Sequence, residues 1–102
     1  MSCYGCKVKV SSGDTRFASQ LSPEIKSILD DFAHCQDAEH ETILSVSSEG
    51  DASIHVFFET EAERDSFLSK MGDLISVQDK PEGTTILSHK VAPDLSETEV
   101  TI

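Results

Sequence analysis

Three cysteines and two histidines are the residues whose types could bind a metal ion. Cys3 and Cys6 form a C-x-x-C pair, a spacing that lets two thiolates reach one metal ion or form a redox disulfide. Cys35 and His40 follow later in the chain, with His34 beside them. These ligand types suit zinc. The sequence therefore predicts, as one hypothesis, a zinc or thiol site at Cys3, Cys6, Cys35 and His40.

The position of the C-x-x-C pair counts against this hypothesis. Side chains alternate along a strand, so Cys3 and Cys6 would point to opposite faces if both lay in one strand. Joint chelation would require the first residues to turn away from that strand. The alternative is that these are reduced cysteines of a cytosolic protein, one of them in the core.

His55 and His89, with nearby acids, are the side chains that could support general acid-base chemistry. Nothing in the sequence brings them together. The chain has no Ser-His-Asp spacing, phosphate-binding glycine loop or H-E-x-x-H motif. We therefore expect a protein that is not an enzyme, and keep a small dimeric α+β-barrel enzyme as a further alternative because such enzymes carry sparse signatures.

The charge of the chain is strongly negative. It has 8 basic and 19 acidic side chains, for a net charge of −11, and all of this excess lies after residue 36. Such a surface repels nucleic-acid phosphates and anionic lipid, since binding them requires a basic footprint. We expect no direct nucleic-acid or membrane partner. The sequence predicts a binding or regulatory module for a protein with a basic surface, such as an inhibitor that covers that surface.

A strand followed directly by a helix is the clearest structural signal. The predicted strand is Ala52–Glu59. In it Ile54, Val56 and Phe58 alternate with His55, Phe57 and Glu59, which is typical of a strand with one buried side. Thr60 and Glu63 fit a helix-capping box, so the helix should begin at Glu61. It should end at Gly72.

The other elements follow from similar patterns. Ser22 is the expected N-cap of the first helix, with Pro23 at its first position, after a loop over residues 11–20. The remaining predicted strands are Tyr4–Val10, Thr42–Ser48, Leu74–Val77 and Thr84–Val91.

This order, β-α-β-β-α-β with an extra C-terminal strand, predicts a ferredoxin-like α+β sandwich with both helices on one face of an antiparallel sheet. Residues 1–91 form one domain, and the acidic tail 92–102 is either disordered or an edge strand. No apolar run approaches the ~18 residues of a membrane span, and we expect a cytoplasmic protein.

The sheet face without helices is the predicted binding face. We expect Lys7 and Lys9 there, with an apolar patch at Ile43 and Phe57 that a second copy of the chain or a partner would cover. A homodimer through this face is therefore predicted. The expected partner-binding residues are Ile43, His55, Phe57, Glu59, Glu61, Glu63 and Asp65.

Overall fold

A computed structural model describes residues 3–35, 39–92 and 97–102 of the chain. The elements are β1 (Tyr4–Ser11), α1 (Thr15–Leu29), β2 (Ile43–Val46), β3 (Asp51–Phe58), α2 (Glu61–Ser76), β4 (Thr85–Val91) and β5 (Glu97–Val100). The predicted first, second, third and last strands are confirmed to within two residues at either end.

The five strands form one sheet in the order β2-β3-β1-β4-β5, and every neighbouring pair is antiparallel. Both helices contribute to a single core cluster on one face of this sheet. The predicted ferredoxin-like fold with an extra strand is confirmed. Residues 97–100 of the predicted tail form that strand, whereas the tail residues 93–96 lie outside the described part of the chain.

The core forms where alternate strand residues meet the two helices. Ile54, Val56 and Phe58 are buried in it, as predicted. The Phe58 ring lies 5.2 Å from the ring of Phe67 in α2 and 5.8 Å from the ring of Phe32. The two helices thus cover one face of the sheet and leave the other face open.

Helix α1 begins eight residues earlier than predicted. Asp14 is the true N-cap, since its carboxylate accepts hydrogen bonds from the backbone N–H groups of Arg16 and Phe17. Pro23 lies inside the helix, at a cost of about 3 kcal/mol. Burial of Phe17 and Leu21 stabilises the extra turns by about 1.5–3 kcal/mol each, which offsets that cost.

Helix α2 begins at Glu61 as predicted, and the hydroxyl of Thr60 accepts a hydrogen bond from the backbone N–H of Glu63. The predicted end at Gly72 is wrong, as is the predicted strand at Leu74–Val77, because the helix continues to Ser76. A glycine inside a helix costs only about 1 kcal/mol. Burial of Ile75 on the core side of the added turn exceeds that cost.

Neither helix in the described part of the chain is long and apolar enough to cross a membrane.

Candidate binding face

The sheet face opposite the helices carries one line of side chains that crosses all five strands. Strand pairing places Lys7 of β1 between His55 of β3 and His89 of β4. Ile43 of β2 continues the line beyond His55, and Glu99 of β5 ends it beyond His89. No sequence pattern connected His55 with His89. The register of the sheet places both on one surface beside Lys7.

A shallow apolar groove of about 290 Å³ runs along this face. Ile43 and Leu87 stand at its two sides and are 55% and 47% exposed. The histidines and the stems of Lys7 and Lys9 complete its walls. Long lysine side chains can cover apolar surface with their methylenes while their charges reach outwards. The groove therefore offers apolar contacts inside and charges at the rim.

Carboxylates hold both lysines at that rim. The ammonium group of Lys7 donates a hydrogen bond to the carboxylate of Glu97 in β5. Lys9 lies 3.4 Å from the carboxylate of Asp51. The Lys7 hydrogen bond holds the pKa of Glu97 below its ordinary value, with the positive charge of Lys7 adding to the effect. The open face is therefore close to neutral, although the chain is strongly acidic.

His55 is a second group of this face whose pKa is shifted. Partial burial lowers the pKa of its imidazole, and the charge of Lys7 lowers it further, while Glu97 acts in the opposite direction. Its Nε2 atom is buried and finds no hydrogen-bond partner among the described residues. His55 is therefore held in its neutral form at a position where a partner could contact it.

Phe57 does not form the exposed patch that the sequence predicted. It is only 3% exposed, because Cys3, Cys35 and Val91 enclose it in a small cluster separate from the main core. The rings of His40 and His55 lie 4.7 and 4.8 Å from its own ring. We call the cluster of Cys3, Cys35, Phe57 and Val91 the disulfide cluster. Of the predicted apolar pair, only Ile43 is available to a partner.

The structure does not bring the predicted zinc ligands together. Cys3 and Cys35 are bonded to each other as a disulfide, so of the C-x-x-C pair only Cys6 is the reduced cysteine expected in the alternative. Cys6 lies on the opposite face of β1, fully buried among the helices, because side chains alternate along a strand. His40 packs against Phe57. Within the described ranges, no group of three or more His, Cys, Asp or Glu side chains could hold a metal ion.

The predicted acidic contact residues lie away from His55 and Ile43. Glu61, Glu63 and Asp65 belong to the first turns of α2, on the other side of the sheet, and Glu59 is exposed just before that helix. The structure therefore separates the predicted partner-binding residues into two groups on different surfaces.

Two of these acids, Glu61 and Asp65, form ion pairs with the buried guanidinium of Arg64. It lies 3.3 Å from the Glu61 carboxylate and 3.2 Å from that of Asp65, and it stacks over the Tyr4 ring. Desolvation alone would raise the pKa of Asp65. Hydrogen bonds from Lys90 and Arg64 outweigh this, so the pKa is lowered. Glu61 and Asp65 therefore serve a structural ion-pair network.

Leu87 and Glu99 are residues of the face that sequence reasoning missed. Their positions depend on β4 lying beside β1 and β5 beside β4, which no local pattern reveals. Alternation along β4 was the available signal: Leu87, His89 and Val91 share one side of that strand.

No known family model, curated protein or solved structure matches this chain. The geometry and charge of the open face are therefore the guide to what this chain binds.

Proposed function

We propose that this chain is a small, acidic, non-enzymatic binding module that engages a basic surface of a protein partner through the open face of its sheet. The observation that carries the proposal is the apolar groove between Ile43 and Leu87, with its charged groups turned to the rim. A protein that covers and inhibits a basic site would use such a face.

The groove supports the proposal because binding energy in protein interfaces concentrates in a few central, desolvated contacts. Ile43 and Leu87 are each about half exposed. Full burial of such a side chain contributes about 1.5–3 kcal/mol, so covering the exposed half of each contributes about 1 kcal/mol. The pair provides a central anchor, and the polar rim around it gives orientation.

The charge distribution supports a basic partner. The strands carry on their open side two lysines against three carboxylates, Asp51, Glu97 and Glu99. Since that leaves a net charge of −1, ten of the eleven net negative charges lie elsewhere in the chain. The approach of a basic protein would be accelerated by the whole field, and the near-neutral face would be inexpensive to desolvate on contact.

A second copy of the chain is the other occupant that this face supports, as a homodimer. The two occupants differ in their response to salt. Two copies that each carry −11 repel one another, so added salt strengthens self-association. Salt weakens the attraction of a basic partner.

To test this, the oxidised chain is immobilised and an extract of the source cells is passed over it at low and at high salt. The proteins that it retains are then identified. Leu87→Asp places a charge in the groove. Ile86→Asp is the matched control, because Ile86 is 37% exposed on the other side of the same strand. Both variants change the net charge equally, so long-range attraction is the same in both.

The expected result is a basic protein that is retained at low salt by the wild type and by Ile86→Asp, lost with Leu87→Asp, and released at high salt. Equal capture by both variants, or retention at high salt, would overturn the proposal. Sedimentation equilibrium of the wild type and the two variants tests the homodimer. A homodimer through this face requires that the fraction of dimer rises with salt and that Leu87→Asp, but not Ile86→Asp, abolishes the dimer.

A further inference from the structure

A disulfide covers part of the open face. Cys3 immediately precedes β1, and Cys35 lies in the irregular connection between α1 and β2. Their Cα atoms are 6.6 Å apart, within the range that disulfides span. The bond ties Cys35 to the residue that precedes the central strand β1.

Phe57 lies directly beneath this bond. The bonded cysteines make up half of the disulfide cluster, whose other members are Phe57 and Val91. On its inner side the Phe57 ring covers Gly5, where an added Cβ atom would lie 2.6 Å from the ring. Phe57 is therefore a large apolar side chain on the binding side of the sheet, and the disulfide shields it from solvent together with Val91 and the rings of His40 and His55.

Among the described residues, few backbone bonds join this cover to the sheet. The backbone N–H of Cys35 donates to the carbonyl of Phe57 at 2.8 Å, and an isolated bridge links His34 to Phe58. Each of the three strands β1, β3 and β4, by contrast, is paired over seven or eight residues. Regions with few backbone bonds open locally at a lower free energy than the whole fold. The cover can therefore open while the sheet stays intact.

We propose that the Cys3–Cys35 disulfide is a redox-controlled cover over an apolar binding surface centred on Phe57. The reductant is a protein or small-molecule dithiol. One of its thiolates attacks a sulfur of the Cys3–Cys35 bond to form a mixed disulfide, and its second thiolate resolves that intermediate. Two electrons and two protons pass to Cys3 and Cys35, which become thiols, and the dithiol becomes a disulfide.

Opening of the cover enlarges the binding face. Phe57 neighbours Ile43 through His55, so its exposure joins an aromatic side chain to the existing groove. This step rests on the proposed function: the reduced chain binds the same basic partner more tightly, through one additional aromatic contact. Aromatic side chains are among the strongest contributors to protein interfaces.

Cys6 does not take part in this exchange. It is fully buried on the helix side of β1, and burial raises the pKa of its thiol to about 12. A protonated, inaccessible thiol does not attack a disulfide. The C-x-x-C spacing is therefore not the redox pair, and Cys6 provides a matched cysteine control.

The test measures exposure of Phe57 without any partner. The full chain is mixed with a neutral apolar dye such as Nile red, before and after treatment with dithiothreitol, and secondary structure is followed by circular dichroism. The variants are Cys3→Ser with Cys35→Ser, the control Cys6→Ser, and the double serine variant combined with Phe57→Ala.

We expect a several-fold rise in dye fluorescence on reduction of the wild type, with its secondary structure retained. The double serine variant should show the high signal without reductant, and Cys6→Ser should respond as the wild type does. Adding Phe57→Ala should remove the rise. An unchanged signal on reduction, a rise that accompanies loss of secondary structure, or a rise that survives Phe57→Ala would each overturn the inference.

Failure of this inference is distinguishable from failure of the proposed function. Partner capture uses the oxidised chain, whereas the dye experiment contains no partner. A dye response without specific capture would contradict only the proposed function, and specific capture without a dye response would contradict only the redox cover.

Discussion

The two faces of this sheet are built from the same strands and have opposite characters. In β1, Cys6, Val8 and Val10 face the helices and are almost fully buried. The intervening residues Lys7 and Lys9 face the other side and pair with carboxylates. One face is therefore a core that the chain covers itself, and the other is a surface whose charges are already balanced.

The two faces differ in how much apolar side-chain surface they leave exposed to solvent. The helix-covered face buries its aromatic side chains against α1 and α2. On the open face, the disulfide cluster encloses Phe57, while Ile43 and Leu87 remain in a groove without a cover. Apolar residues in the core are explained by stability. Those in the groove add little to stability, and the proposed contact with a partner would account for their exposure.

The strongest test of this comparison makes the same substitution on each face. Ile54→Ala removes a buried side chain of the helix-covered face and should lower the free energy of unfolding by about 2–5 kcal/mol. Ile43→Ala, on the open face, should lower it by about 0.5 kcal/mol or less. Urea unfolding of both variants measures the difference. Similar losses in the two variants would show that the open face is part of the folding core.

A second prediction concerns the small core that the open face does contain. An Ala side chain at position 5 would lie 2.6 Å from the Phe57 ring, which the disulfide and two histidine rings hold in place. Gly5→Ala should lower the free energy of unfolding by about 1–3 kcal/mol. In the background of Phe57→Leu, the same change should cost less, because the smaller side chain leaves room. A cost unaffected by Phe57→Leu would mean that the two residues do not compete for this space.

The fold could be predicted from the sequence because local signals agreed with the final packing. Alternation in β1 and β3 and the Thr60 cap specified three of the seven described elements. The predicted start of α1 at Pro23 and the predicted end of α2 at Gly72 are wrong for the same reason. Each residue disfavours a helix by a few kcal/mol at most, and burial of side chains beyond it outweighs that cost. Such burial depends on the tertiary structure and is not visible in a local window.

The site was only partly predictable. The exposed position of Ile43 and the neighbouring His55 followed from alternation along β2 and β3. Leu87 and Glu99 required the order of the strands, which is set by long-range pairing. The pairing of Cys3 with Cys35 was missed because the two residues are 32 positions apart, and the nearer Cys6 suggested a C-x-x-C motif instead.

The smallest expected effect concerns the pH dependence that His55 gives to the open face. The pKa of His55 in the folded chain is below its ordinary value of 6.5. As the pH falls, the unfolded chain therefore binds a proton at His55 more readily than the folded chain does. Stability contributed by neutral His55 is therefore fully present above pH 6.5 and is lost as the pH falls through the folded pKa. His55→Gln should remove this part of the pH dependence. Lys7→Met should leave most of it, since burial is the larger cause. Urea unfolding over about pH 5–7, with an NMR titration of His55, measures both; a folded pKa at or above 6.5 would contradict the account.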